Sequence, residues 1–109
     1  MIPGVLDDVF DALSHVHRRR VLVTVLRRGC TDDNPVVIPG DMEMGRGDPK
    51  HLHALMHHTH LPILEEVGFI RCDRNRGTVE VSEGPRFDDI EPVLNLLDTH
   101  ADDLPGEWA

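Results

Sequence analysis

Apolar residues recur along this chain at two different periods, and the changes between them lay out its elements. Val5, Val9, Leu13 and Val16 recur at helical spacing, with Leu6 and Phe10 alongside, and predict a helix over residues 5–16. Val21, Leu22, Val25 and Leu26 form the apolar stripe of a second helix over 17–28, and Gly29 is its natural stop. Thr31-Asp32-Asp33-Asn34-Pro35 is a turn cluster. Val36-Val37-Ile38 then reads as a short strand, and Asp41 to Gly47 as a short helix weakened by the two glycines flanking Arg46.

Asp48-Pro49 has the form of a helix start, with Asp as the N-cap and Pro in the first helical position. This helix is expected to run to Val67 and stop at Gly68. Pro62 lies inside it, so either the helix kinks or a new one starts near Thr59 with Pro62 in its tolerant first turn. Beyond Gly68 the period shortens. Phe69 to Asp73 and Thr78 to Val81 predict two strands, joined by the polar tip Arg74-Asn75-Arg76-Gly77. Ile90, Val93, Leu94, Leu97, Ala101 and Leu104 return to helical spacing and predict a last helix over about residues 88–104, with Pro92 in its first turn. The order predicts an α+β, mainly helical fold in a single domain, 1–109. Residues of about 5–82 would form a winged helix-turn-helix, followed by a C-terminal helix.

A chain of 109 residues buries a core of two or three layers but not a large enzyme cleft. No apolar run approaches the length of a membrane span. The stretch Met1 to Asp11 lacks the basic start and long apolar core of a signal peptide, so a cytoplasmic protein with no membrane partner is expected. Cys30 and Cys72 are too few for a disulfide framework. There is no nucleophile elbow, Gly-rich phosphate loop or productive carboxylate pair, so neither catalysis nor a cofactor is expected.

Charge changes the picture more. The net charge is -9, from 13 Asp and 7 Glu against 10 Arg and the single Lys50. Its distribution is uneven. Residues 1–29 hold five Arg against three Asp, a local +2. Residues 50–81 sum to zero and hold five of the eight His, whereas residues 82–109 sum to -7. Such polarity suits a molecule with one face toward phosphate and another toward solvent or a partner.

The segment His58-Thr59-His60-Leu61-Pro62-Ile63-Leu64-Glu65-Glu66-Val67-Gly68-Phe69-Ile70 is similar to the recognition helix and first wing strand of ArsR-like winged helix-turn-helix transcription regulators of halophilic archaea. Val9-Phe10-Asp11-Ala12-Leu13-Ser14, followed by Arg18-Arg19-Arg20-Val21-Leu22, resembles the opening of the same family. The acidic, Lys-poor composition resembles halophilic proteins too. The resemblance spans roughly residues 5–82. It implies a winged-helix fold, binding to double-stranded DNA and a homodimer. The sequence departs from metal-sensing relatives in lacking clustered cysteines, since Cys30 and Cys72 stand 42 positions apart.

Candidate contacts follow. The N-terminal half of a recognition helix reaches base edges in the major groove, which selects Lys50, His51, His53, His57 and His58. Arg74, Asn75 and Arg76 at the hairpin tip would meet backbone or minor groove as a wing. Arg18, Arg19 and Arg20 cannot share one helix face, because a helix turns roughly 100° per residue. One of them, taken as Arg18, is expected at a phosphate, and another at an acid such as Asp11. Arg27 and Arg28 suit the negative end of their helix. Ile90, Val93, Leu94, Leu97 and Ala101 would form the dimer interface, together with residues 5–13, unless that stripe covers the core.

Two rival readings stand beside DNA-binding regulation, with repression as its expected sign. His53 and His57 form an i, i+4 pair that can bind Zn, Ni or Cu, with His60, His51 or Asp41 as a third ligand, which would make a metal or ligand sensor. A redox role for Cys30 and Cys72 competes with burial of Cys72 in its strand. The acidity also fits a protein-interaction module with no DNA binding. The expectation adopted is regulation without a bound metal.

Overall fold

The computed structural model describes residues 4–31, 33–38, 48–106 and 108–109. The fold is α+β: five α-helices and a three-stranded antiparallel sheet are described. Helix α1 spans Val5–Ala12 and α2 spans Val16–Arg28. The first helix ends earlier than its apolar spacing suggests, because the chain turns at Leu13–His15. That turn is held from the next helix. Arg18 Nη1 donates to the carbonyl of Asp11 at 2.8 Å, and Arg19 Nη1 donates to that of Leu13 at 2.7 Å. Both carbonyls lie at the end of α1, where helical partners run out. Gly29 ends α2 in the left-handed conformation, φ +58, as expected.

Strand β1 is Val36–Ile38, as predicted. The expected helix over Asp41 to Gly47 lies outside the described residues. Next comes α3, Pro49–Leu55, which passes into a π-helical turn, Met56–His60, and then into α4, Leu61–Val67. Both readings of Pro62 meet here. It sits in the first turn of α4, where its missing N–H costs little, and the turn before it widens. The Leu61 N–H reaches the carbonyl of Met56, five residues back. The extra residue keeps Leu52, Met56, Leu61 and Leu64 on the buried side and brings His60 in with them.

Strands β2, Ile70–Asn75, and β3, Thr78–Glu83, extend beyond their predicted ends. Sheet order is β1-β3-β2, with Val36 opposite Val81 and Cys72 opposite Val81 on the other side. Arg74 and Asn75 therefore belong to β2, paired with Val79 and Thr78, and the tip is only Arg76-Gly77. Gly77 takes φ +74, which an L side chain resists. Gly84 follows β3 where no side chain fits: a Cβ there would lie 2.4 Å from the Gly68 carbonyl oxygen.

The last helix, α5, spans Phe87–Thr99, and a 3-10 turn follows at Ala101–Asp103. One core cluster joins most of these elements. It contains Val9, Leu22, Val25, Ile38, Met56, Leu61, Leu64, Phe69, Val81, Phe87, Ile90 and Leu94. Assigning the α5 stripe to a dimer interface is corrected here. Ile90 and Leu94 are fully buried within one chain, and Val93, Leu97 and Ala101 pack partly buried against the same core. Among the described residues, the large apolar side chains left exposed are Leu6 and Phe10 on α1 and Leu96 on α5. Trp108, which no periodicity flagged, is buried beside α2 and α5: its carbonyl accepts from Arg19 Nε at 2.7 Å and its Nε1 donates to Asp98 at 3.3 Å. No helix among the described residues is long and apolar enough to cross a membrane.

Candidate nucleic-acid interface

The Asp48 side chain starts the long helix by accepting from the Lys50 N–H at 3.0 Å. Along α3 and the π-turn, Lys50, His51, Ala54 and His58 are exposed. Their three- and four-residue spacing makes one stripe, and the small Ala54 leaves it open to close approach. Leu52 and Met56 face the core. Between these two faces lie His53 and His57, both half-buried. Their ring centroids are 4.3 Å apart and the planes tilt by 59°. His53 Nδ1 and His57 Nε2 are buried with no hydrogen-bond partner among the described residues. Burial first, then the charges of His53, His58 and Arg74, lower the His57 pKa. The five expected DNA contacts thus divide. Lys50, His51 and His58 face solvent, whereas His53 and His57 face one another and the protein.

His60 belongs to neither group. It is 6% exposed, and its Nδ1 accepts from Arg18 Nε at 3.1 Å. A ring that accepts at Nδ1 is neutral and carries its proton at Nε2. His15 and His17 stack near it, at centroid distances of 5.3 and 5.6 Å. Burial holds the His60 pKa down to about 4, with help from the charges of Arg18, His15 and His17. Burial, Arg20 and His15 lower that of His17 in the same direction.

Arg18 is a correction. Expected at a phosphate, it is 5% exposed and turned inward, bonded to His60 and to the Asp11 carbonyl, and 3.6 Å from the Asp11 carboxylate. It is the arginine of the triplet that pairs with Asp11. A guanidinium so deep needs partners, and it has two hydrogen bonds and a carboxylate at ion-pair distance.

At the hairpin, Asn75 and Arg76 are exposed. Arg74 is exposed as well, but its two terminal nitrogens both donate to Glu65 Oε1 at 3.1 Å, which ties β2 to α4. Glu65 gave no signal in the sequence beyond its charge, because its partner comes from another element. Arg86 is a second brace that periodicity did not reveal. It donates to the Val67 carbonyl at 3.0 Å, pairs with Asp8 and Asp89, and lies 5.5 Å from the centre of the Phe69 ring. The hairpin is therefore fixed to the helix that carries the exposed stripe.

The remaining candidates fare differently. Arg27 pairs with Asp98 of α5 at 3.1 Å, a tertiary role as well as a helix-end one. Cys30 is buried and Cys72 half-buried. Burial, then the Glu65 charge, push the Cys72 pKa up to about 12, which disfavours the reactive thiolate. Asp41, one possible third metal ligand, lies outside the described residues. Among the described residues no three His, Cys, Asp or Glu gather as ligands. No family model matches the chain, nor does a curated protein or a solved structure. The chemistry on offer is that of donors and cations held on a rigid helix and a braced hairpin.

Proposed function

We propose that this chain is a winged helix-turn-helix regulator that binds double-stranded DNA as a homodimer and represses transcription. The observation that carries the reading is the exposed stripe Lys50, His51, Ala54 and His58 at the start of a long helix, with an Arg-tipped hairpin braced to the other end of that helix. A helix presents such residues to base edges, and a hairpin tip of this kind meets the backbone or minor groove. Arg76 is the first contact at the tip. Arg74 reaches phosphate by exchanging Glu65 for it, a small cost for an exposed pair.

Two copies would place two such helices in successive major grooves. The surface offered for pairing is Leu6, Phe10 and Leu96, at 52%, 60% and 61% exposure on neighbouring helices, in place of the buried stripe. Net acidity is tolerable because most of it is at the C-terminal end of the sequence: residues 82–109 sum to -7 of the total -9. In a salt-rich cytoplasm counterion release contributes less, and base contacts and shape contribute more. Genome-wide chromatin immunoprecipitation of the tagged protein tests the reading. A shared two-fold sequence motif under the peaks is expected, and the absence of any enriched motif would defeat it. Light scattering should give about twice the 12.3 kDa chain mass, reduced to one copy by Phe10→Asp with Leu96→Asp.

A further inference from the structure

We infer that His53 and His57 form a chelating site for a borderline divalent cation of the Cu, Ni or Zn type, set between the exposed stripe and the core. The two residues stand one helical turn apart, the spacing that lets two imidazoles on one helix share a metal. Their rings already lie together, at 4.3 Å between centroids. A metal at roughly 2.0–2.1 Å from each nitrogen would put the centroids roughly 4.5–5 Å apart, close to the separation the rings already have.

The second observation is the nitrogens themselves. His53 Nδ1 and His57 Nε2 are both shielded from solvent and have no hydrogen-bond partner among the described residues. Buried polar atoms are almost always satisfied, and a pair that is not calls for a ligand. Either nitrogen of a neutral imidazole can coordinate. With no third His, Cys, Asp or Glu joining them among the described residues, the chain supplies two ligands and leaves the other positions to water or an exchangeable ligand. Such a site takes up metal reversibly. It requires nothing of DNA, since His51 and His58 lie on the exposed stripe and not in the pair.

The test uses the tag-free, metal-stripped full chain near neutral pH. Calorimetric titration with CuCl2, NiCl2 and ZnCl2 separately should give one equivalent per chain, with Cu tightest and MgCl2 giving no heat. His53→Ala and His57→Ala should each weaken binding at least tenfold, while His100→Ala, exposed after the end of α5, should not. Absence of binding, or binding unchanged in both variants, overturns the inference. If either variant loses its helical circular dichroism, nitrogen-15 spectra of the wild-type imidazoles decide instead. Zn should move His53 Nδ1 and His57 Nε2 before any other ring nitrogen, and movement confined to other histidines overturns it.

Discussion

Five histidines lie on one twenty-residue stretch of this protein, and the structure puts them in three different environments. His51 and His58 face solvent. His53 and His57 face each other with two nitrogens unpaired. His60 is buried with Arg18 behind it and His15 and His17 stacked beside it. Comparing the buried cluster with the exposed stripe shows that residue type carries little information about role. The same imidazole serves as a structural acceptor behind the helix and as a candidate reader in front of it, and the π-turn Met56–His60 carries one of each, His60 and His58.

The buried side should dominate stability. Arg18→Ala leaves the buried His60 ring without its donor and removes one of the donors to the Asp11 carbonyl, so chemical denaturation should show a loss of about 3 kcal/mol. The folded fraction should bind DNA as before. Weaker DNA binding at unchanged stability would return Arg18 to the phosphate contacts and erase the contrast.

Acid should reveal the same cluster. An unfolded imidazole takes its proton near 6.5, whereas His60 in the fold holds off until about 4. Between these values the unfolded chain binds the extra proton. The contribution is therefore complete above about pH 6.5 and fades as pH falls toward 4, by roughly 3 kcal/mol in total. His60→Gln should flatten that part of the stability curve; an unchanged slope would mean His60 titrates normally.

The exposed side should do the opposite. If the chain binds an operator as proposed, His51→Ala with His58→Ala should weaken that binding about tenfold or more, as for base contacts worth roughly 1–3 kcal/mol each, with no change in melting temperature. A melting shift without an affinity change would make these residues structural. The wing sharpens the contrast. Arg76→Ala should weaken binding similarly at all DNA sequences, whereas Arg74→Ala combines a lost contact with loss of the Glu65 pair. That pair is exposed, so the stability cost should stay below about 1 kcal/mol.

Much of the fold was legible because it rests on local patterns. The α2 stripe ends at Gly29 as predicted, Asp48-Pro49 starts its helix, and Val36–Ile38 is a strand. The ends of α1 and α5 were misjudged for a common reason. Apolar spacing continued past the point where the chain turned, since Leu13, Ala101 and Leu104 pack on the core without being helical in α1 or α5. The candidate site was legible only in part. Lys50, His51, His58 and Arg76 stand exposed as expected, but Arg18 does not, because its partner His60 is 42 positions away.

By itself, the sequence determined where helices and strands begin, through caps, breakers and the period of apolar residues. It also determined that positive charge and histidine gather before residue 82 and that most of the net negative charge falls after it. Only the tertiary structure decided which charged groups face outward. Burial and hydrogen-bond partners come from elements far apart in the chain. A guanidinium or imidazole can enter the core wherever distant acceptors or donors meet it, and no local pattern records that meeting.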